Sequence, residues 1–339
     1  MSDYTSLSRI QWVELAERFY DQLFEVCESL TSSQWERRTC YIGWSAHNVL
    51  AHMATAIPVN FREVLDRALV GNPAAPSEFN TLARNAREVE RLRSVPVADL
   101  LREMRSEVGK FLSIYRTMTD ADWVKPAWFF VGPVNLRTVF LALFADELLH
   151  HRDLLLLKGE WRGANPEIAA PLVDWYLREL RPASFRSDRA EGLRASVVYR
   201  LSGPSGGEWT LLIDDGKCTS QGGAVANPTA IIAADAEDLF VAAQARAVPW
   251  IGMLARRAGW IHGSSHTEDV VATITGVASL GWARLSNRIH IEGDSALASK
   301  VNNCFWHFWE RTAQTEYNIV HDQATALPKS TDVQPALPQ

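Results

Sequence analysis

The chain has 339 residues, of which 47% are hydrophobic and 22% charged, with a formal net charge of −6 at pH 7. That length exceeds one ordinary compact core, so two domains are expected, with enough apolar residues to bury both. The acidic balance excludes the basic field that nucleic acid requires, and no apolar run reaches the roughly 18 residues of a membrane helix.

The first half reads as helices. Over residues 7–30, Ile10, Val13, Leu15, Phe19, Leu23, Phe24, Val26 and Leu30 recur at helical spacing. Gly43-Trp44-Ser45 breaks the chain, and Ser45 is a good N-cap for a second helix running to about Leu69. Pro58 should kink that helix, and Gly71-Asn72-Pro73 should stop it. The polar stretch 76–93 suits an exposed helical connection. A third amphipathic helix spans 97–118, carrying Leu100, Leu101, Met104, Val108, Phe111, Leu112 and Tyr115 on one side. A loop with Pro126, Gly132 and Pro133 leads to a fourth over 134–157, ending before Gly159. Four long helices, each with one apolar stripe, imply a bundle. A further helix over 167–180 leads outward, and Pro182 should end it.

The second half changes period. Residues 194–201 alternate as a strand does, and strands over 208–213 and 217–221 flank the hairpin turn Asp214-Asp215-Gly216. A strand over 229–233, a helix over 236–244, a strand over 287–291 and an Asp294-capped helix over 295–312 follow. The expectation is an α+β region with a mainly antiparallel sheet. The tail from Asp322 has a disordered composition, and the polar start carries no signal peptide.

Cys27, Cys40, Cys218 and Cys304 form no C-x-x-C pair, which suits small buried side chains in a reducing cytoplasm. None has the basic neighbour that a reactive thiolate needs, so thiol chemistry here would use a small-molecule thiol.

His52, Glu147 and His151 are the candidate metal ligands. Glu147 and His151, four apart in a helix, share one face about 6 Å apart along the axis, and His52 can reach the same point from a facing helix. Two imidazoles and a carboxylate leave a coordination position open for water or substrate, which suggests chemistry. Among apolar neighbours such as Leu50, Leu148 and Leu149, a metal would offset the cost of burying Glu147. His47 lies about 140° off the face of His52, and His150 is assigned to a neighbouring face or the surface. Neither is placed among the ligands.

The runs Gly43-Trp44-Ser45-Ala46-His47-Asn48-Val49-Leu50-Ala51-His52-Met53-Ala54 and Asp146-Glu147-Leu148-Leu149-His150-His151-Arg152-Asp153-Leu154 resemble the DinB-like bundle of mycothiol-dependent maleylpyruvate isomerases. The resemblance implies that His52, Glu147 and His151 bind a divalent ion, usually zinc, with water completing its shell. Gly207-Glu208-Trp209-Thr210, Asp215-Gly216, Ala236-Glu237-Asp238-Leu239 and 288–294 resemble a sterol carrier protein type-2 domain. The implied organisation is a metal-binding bundle over 1–160, a helical linker over 161–190, a sterol-carrier-like α+β domain over 191–320 and a tail over 321–339. An insertion over 247–287, with Trp250, Trp260, Trp282, His262 and His266, is longer than that domain usually has, and its expected role is packing.

The expected reaction joins a metal-held thiolate to an activated double bond, giving cis–trans isomerisation, or thiol S-transfer where elimination does not follow. Its partners are a mycothiol-like thiol and an electrophilic small molecule; Arg84, Arg87 and Arg137 are candidates to hold a substrate carboxylate. Two alternatives stay open at this level: metal-dependent hydrolysis on the same scaffold, and a non-catalytic carrier of an apolar ligand.

Overall fold

In the computed structural model, residues 4–39, 44–73, 81–129, 131–243 and 289–305 are described. The expected insertion over 247–287, the end of the expected 295–312 helix, the tail and Cys40 lie outside those residues.

The bundle begins with α1 (Arg9–Ser29), opened by a capping box in which Ser8 and Gln11 each bond the other's backbone N–H. Helix α2 (Ala46–Thr55) has the same device with Ser45 and Asn48. At Ala56–Phe61 the helix widens into a π turn that contains Pro58, and it resumes as Arg62–Leu69. Proline has no N–H to donate, and the wider turn absorbs the missing bond without ending the element. The polar helix α3 (Thr81–Arg91) is less exposed than its composition suggests: Arg84 and Val89 are buried, and the helix packs against α2.

Helix α4 (Val97–Thr117) buries the expected stripe of Leu100, Met104, Val108, Phe111, Leu112 and Tyr115, whereas Leu101 is only half-buried. The expected loop before the next helix holds a small hairpin, β1 (Pro126–Phe129) and β2 (Gly132–Asn135). Helix α5 (Leu136–Lys158) is capped by Asn135 and stopped by Gly159, whose φ of 76° is the left-handed conformation glycine adopts without strain. Nearly every position of α5 from Leu136 to Leu149 is buried, so it is the central helix of the bundle.

Helix α6 (Pro166–Trp175) follows and widens into a π turn over Tyr176–Leu180. Pro182 does not end it: one more turn, Arg181–Ala183, has the proline in its first turn, where no N–H is needed.

The second region is one sheet of β3 (Ala195–Ser202), β4 (Gly207–Asp214), β5 (Lys217–Gly222), β6 (Ala230–Asp235) and β7 (Ile289–Gly293), in the order β5-β4-β3-β6-β7. Only the β3–β6 pairing is parallel; the others are antiparallel, as alternation and turns suggested. Asp215 and Gly216 both have positive φ, the twist a two-residue hairpin requires. Helix α7 (Ala236–Ala243) follows β6, and α8 (Ser295–Asn302) is capped by Asp294. The chain leaves helical geometry earlier than expected because Cys304 turns back to accept a bond from the Arg186 N–H at 2.7 Å.

One apolar cluster runs from Trp12 and Phe19 through Trp175 to Trp209 and Leu211. Across the seam, Trp209 Nε1 donates to Asp174 Oδ1 at 2.7 Å, and both side chains are buried. A short charge-assisted bond in that setting fixes how α6 meets the sheet. Among the described residues no helix is long and apolar enough to cross a membrane.

Candidate metal centre

The capping box at Ser45 sets the start of α2 and therefore the direction of His52, which is buried with 6% of its surface exposed. Facing it on α5 is Asp146, whose side chain keeps 35% exposure. Its Oδ2 lies 3.5 Å from His52 Nε2 and 3.6 Å from His150 Nε2. The ligand-type atoms of His52, Asp146 and His150 all fall within 4.8 Å of one another. Two ligands bound at about 2.05 Å to a tetrahedral ion sit roughly 3.3 Å apart, so both carboxylate–imidazole distances suit one ion. The imidazole rings of His52 and His150 meet at 4.9 Å, and the Trp44 ring lies 5.1 Å from that of His52. Asp153, fully buried, brings Oδ2 to 4.0 Å from His150 Nδ1 on the side away from the cluster. A carboxylate there can orient a ligating imidazole and raise its basicity.

Of the residues expected from sequence, the structure thus brings His52 into this cluster. It places Glu147 and His151 on the adjoining face of α5, toward α1. The His151 ring packs edge-on against Phe19 at 5.6 Å, and its Nε2 has no hydrogen-bond partner among the described residues. Burial lowers its pKa to about 4, so it is neutral at pH 7. Burial, with the Glu147 charge second, also raises the Tyr20 phenol and the Cys27 thiol well above their usual ranges.

His150 is not at the surface: it is 1% exposed, and with Asp146 it lies on the face of α5 that neighbours the face of Glu147 and His151. The segment Asp146-Glu147-Leu148-Leu149-His150-His151 contains carboxylate-x-x-x-histidine twice, in registers one residue apart. One residue is about 100° of helix, so exchanging the registers would turn α5 by that angle. Asp153 carries the signal that could have separated them, since it continues the face of Asp146 and His150 at helical spacing.

His47 stays outside the cluster and donates from Nε2 to the Val95 carbonyl at 2.8 Å. Arg137 pairs with Glu179 at 2.9 Å, so it is engaged where α5 meets the turn after α6. The described cysteines all have raised thiol pKa values through burial, with Cys218 pushed up to about 12. None of them is a poised thiolate.

The family model described as Mycothiol maleylpyruvate isomerase N-terminal domain matches residues 16–155, which include all of α2 and both registers on α5. Among solved structures, the chain is similar to the mycothiol-dependent maleylpyruvate isomerase, with 13% identity, 73% of this chain and 92% of that one covered, and a TM-score of 0.47. It is also similar to YfiT from Bacillus subtilis, described as a probable metal-dependent hydrolase with an unusual four-helix bundle topology. There the identity is 18%, the coverage 47% of this chain and 92% of that one, and the TM-score 0.38. No curated protein matches the sequence.

Proposed function

We propose that the chain is an enzyme in which His52, Asp146 and His150 hold a divalent ion, zinc by ligand type, that activates a low-molecular-weight, mycothiol-like thiol. The thiol adds to a double bond conjugated to a carbonyl, and the outcome is cis–trans isomerisation or S-transfer. The observation that carries this reading is the approach of both imidazoles to one carboxylate oxygen, at 3.5 and 3.6 Å, inside the segment matched by the mycothiol isomerase family model.

Bound there, zinc would lower the pKa of a thiol and hold it as a thiolate at neutral pH. The remaining roles belong to the chain. Buried His52 and His150 supply ring nitrogens as ligands, with the Asp153 carboxylate 4.0 Å behind His150. Asp146, the most exposed of the three, marks the side from which small molecules reach the cluster. The half-buried Trp44 ring packs beside His52 at 5.1 Å. The described cysteines keep their protons, which supports a nucleophile supplied by a small-molecule thiol.

The test uses the full chain loaded with cobalt in place of zinc. Addition of mycothiol is expected to produce a thiolate-to-metal absorption band, and maleylpyruvate is the electrophile to try first. A stoichiometric metal whose spectrum ignores the thiol would overturn the reading in favour of metal-activated water and hydrolysis. An ion retained by His150→Ala but lost from His151→Ala would instead assign the ligands to His52, Glu147 and His151.

A further inference from the structure

The charged groups behind His150 do not stop at Asp153. That residue is fully buried, and its Oδ2 stands 4.0 Å from His150 Nδ1, the ring nitrogen opposite the one that faces Asp146. Its Oδ1 lies 3.5 Å from Nη1 of Arg152. Arg152 in turn brings Nε to 3.5 Å from Glu237 Oε1, and its guanidinium carbon lies 5.9 Å from the centre of the Trp161 ring. Glu237 belongs to the second region, in the first turn of α7 just after β6. A line of alternating charge therefore runs from behind a candidate ligand on α5 to the sheet region.

Each step in that line has a physical reason. A carboxylate sealed from water needs a compensating charge, and Arg152 supplies one to Asp153. Neither Arg152 Nε nor Nη1 makes a hydrogen bond among the described residues, so the contacts at 3.5 Å act through charge. Adjacent helical residues point about 100° apart, so α5 alone does not set the pairing of Arg152 with Asp153. A cavity of about 260 Å³ borders the Arg152 side chain and leaves it room to move, so close packing does not set it either. Glu237 is the group that can hold the guanidinium from the far side. Its own place is fixed twice: its backbone N–H donates to Asp235 Oδ1 at 2.9 Å, and its Oε1 accepts from Trp161 Nε1 at 2.8 Å.

We propose that Arg152 is a positioning residue for the metal centre. Held by Glu237, it keeps the Asp153 carboxylate behind the His150 ring, and the metal affinity of the bundle thereby depends on the sheet region. This role rests on the reading of His52, Asp146 and His150 as ligands, and it adds residues that lie outside that cluster. Without Arg152 the buried carboxylate is left uncompensated and shifts to another arrangement, and His150 loses the group that orients it.

The full chain loaded with cobalt reports on both affinity and ligand geometry. In chelator competition, Arg152→Met is expected to bind cobalt about tenfold more weakly than the unaltered chain. Glu237→Gln should bind it about threefold more weakly, the scale of a partly exposed ion pair. At saturating cobalt, Arg152→Met should also shift the d–d absorption bands, a change that loss of stability alone does not produce. Glu237→Gln should have no further effect in the Arg152→Met background, because it acts through Arg152. Arg152→Lys, which keeps the charge without the planar fork, should recover part of the affinity. Arg162→Met, which removes an equal charge from the rim of the same cavity, should change neither affinity nor spectrum. Unchanged or tighter cobalt binding by folded Arg152→Met, additive losses in the double variant, or an equal loss in Arg162→Met would overturn the role. Should Arg152→Met not fold, Glu237→Gln decides, and an unchanged cobalt affinity there overturns it. An unaltered chain that binds no cobalt, or a His150→Ala variant that binds it as well, would refute the ligand assignment and this role with it.

Discussion

Two faces of α5 carry almost the same residues in very different settings. Toward α2, Asp146 and His150 meet His52 across 3.5–3.6 Å, and Asp146 stays partly open to solvent. Toward α1, Glu147 and His151 sit among Phe19, Tyr20 and Cys27, where burial keeps the imidazole, phenol and thiol in their neutral forms. Spacing along a helix supplies pairs of ligand-type side chains at both faces. What distinguishes them is a third such group arriving from another helix, together with access for a small molecule.

The comparison breaks or holds most clearly on metal content. His150→Ala is expected to lose its stoichiometric zinc on gel filtration, and His151→Ala to keep it, as read by elemental analysis. The opposite result would exchange the roles of the two faces. Next in size, Asp153→Asn should weaken zinc affinity by roughly 10–100-fold in a chelator competition, the range found when a carboxylate behind a ligating histidine is changed. An unchanged affinity would show that His150 is oriented by packing alone.

Ser45→Ala removes the cap that begins the helix of His52. It should lower the unfolding free energy by about 1 kcal/mol in urea, with partial loss of metal affinity. The smallest effect belongs to the α1 side. The Tyr20 hydroxyl is buried without a hydrogen-bond partner among the described residues, so Tyr20→Phe should leave stability unchanged or raise it by up to about 1 kcal/mol at neutral pH. It should also make the alkaline limb shallower. The folded-state pKa of Tyr20 is raised above 10.0, so the unfolded chain loses that proton first and stability falls as pH rises past 10.0. Phenylalanine removes that contribution. An alkaline melt identical in both proteins would show that the phenol is solvated rather than sealed in the core.

Much of the fold was legible from local chemistry. Ser45 and Gly159 bound their helices because capping and positive φ are properties of a few adjacent residues. Asp215-Gly216 turns the β4–β5 hairpin for the same reason. The misreadings fall where a residue's role depends on what packs against it. Arg84 is buried in a helix of polar composition because α2 covers that face. Pro182 fits a first turn that exists only because the chain before it has widened into a π turn.

The sequence by itself determined a helical bundle ahead of a mainly antiparallel sheet, and it singled out His52 and the acid- and histidine-rich turns of α5. Those features rest on periodicity and on short-range bonding, which the order of residues contains. The rotation of α5 about its own axis was decided only in the tertiary structure. With nearly every position from Leu136 to Leu149 buried, the helix carries no strongly polar side to set its orientation. Its neighbours set it instead, and a turn of about 100° separates a histidine beside a carboxylate and a second imidazole from one sealed against Phe19.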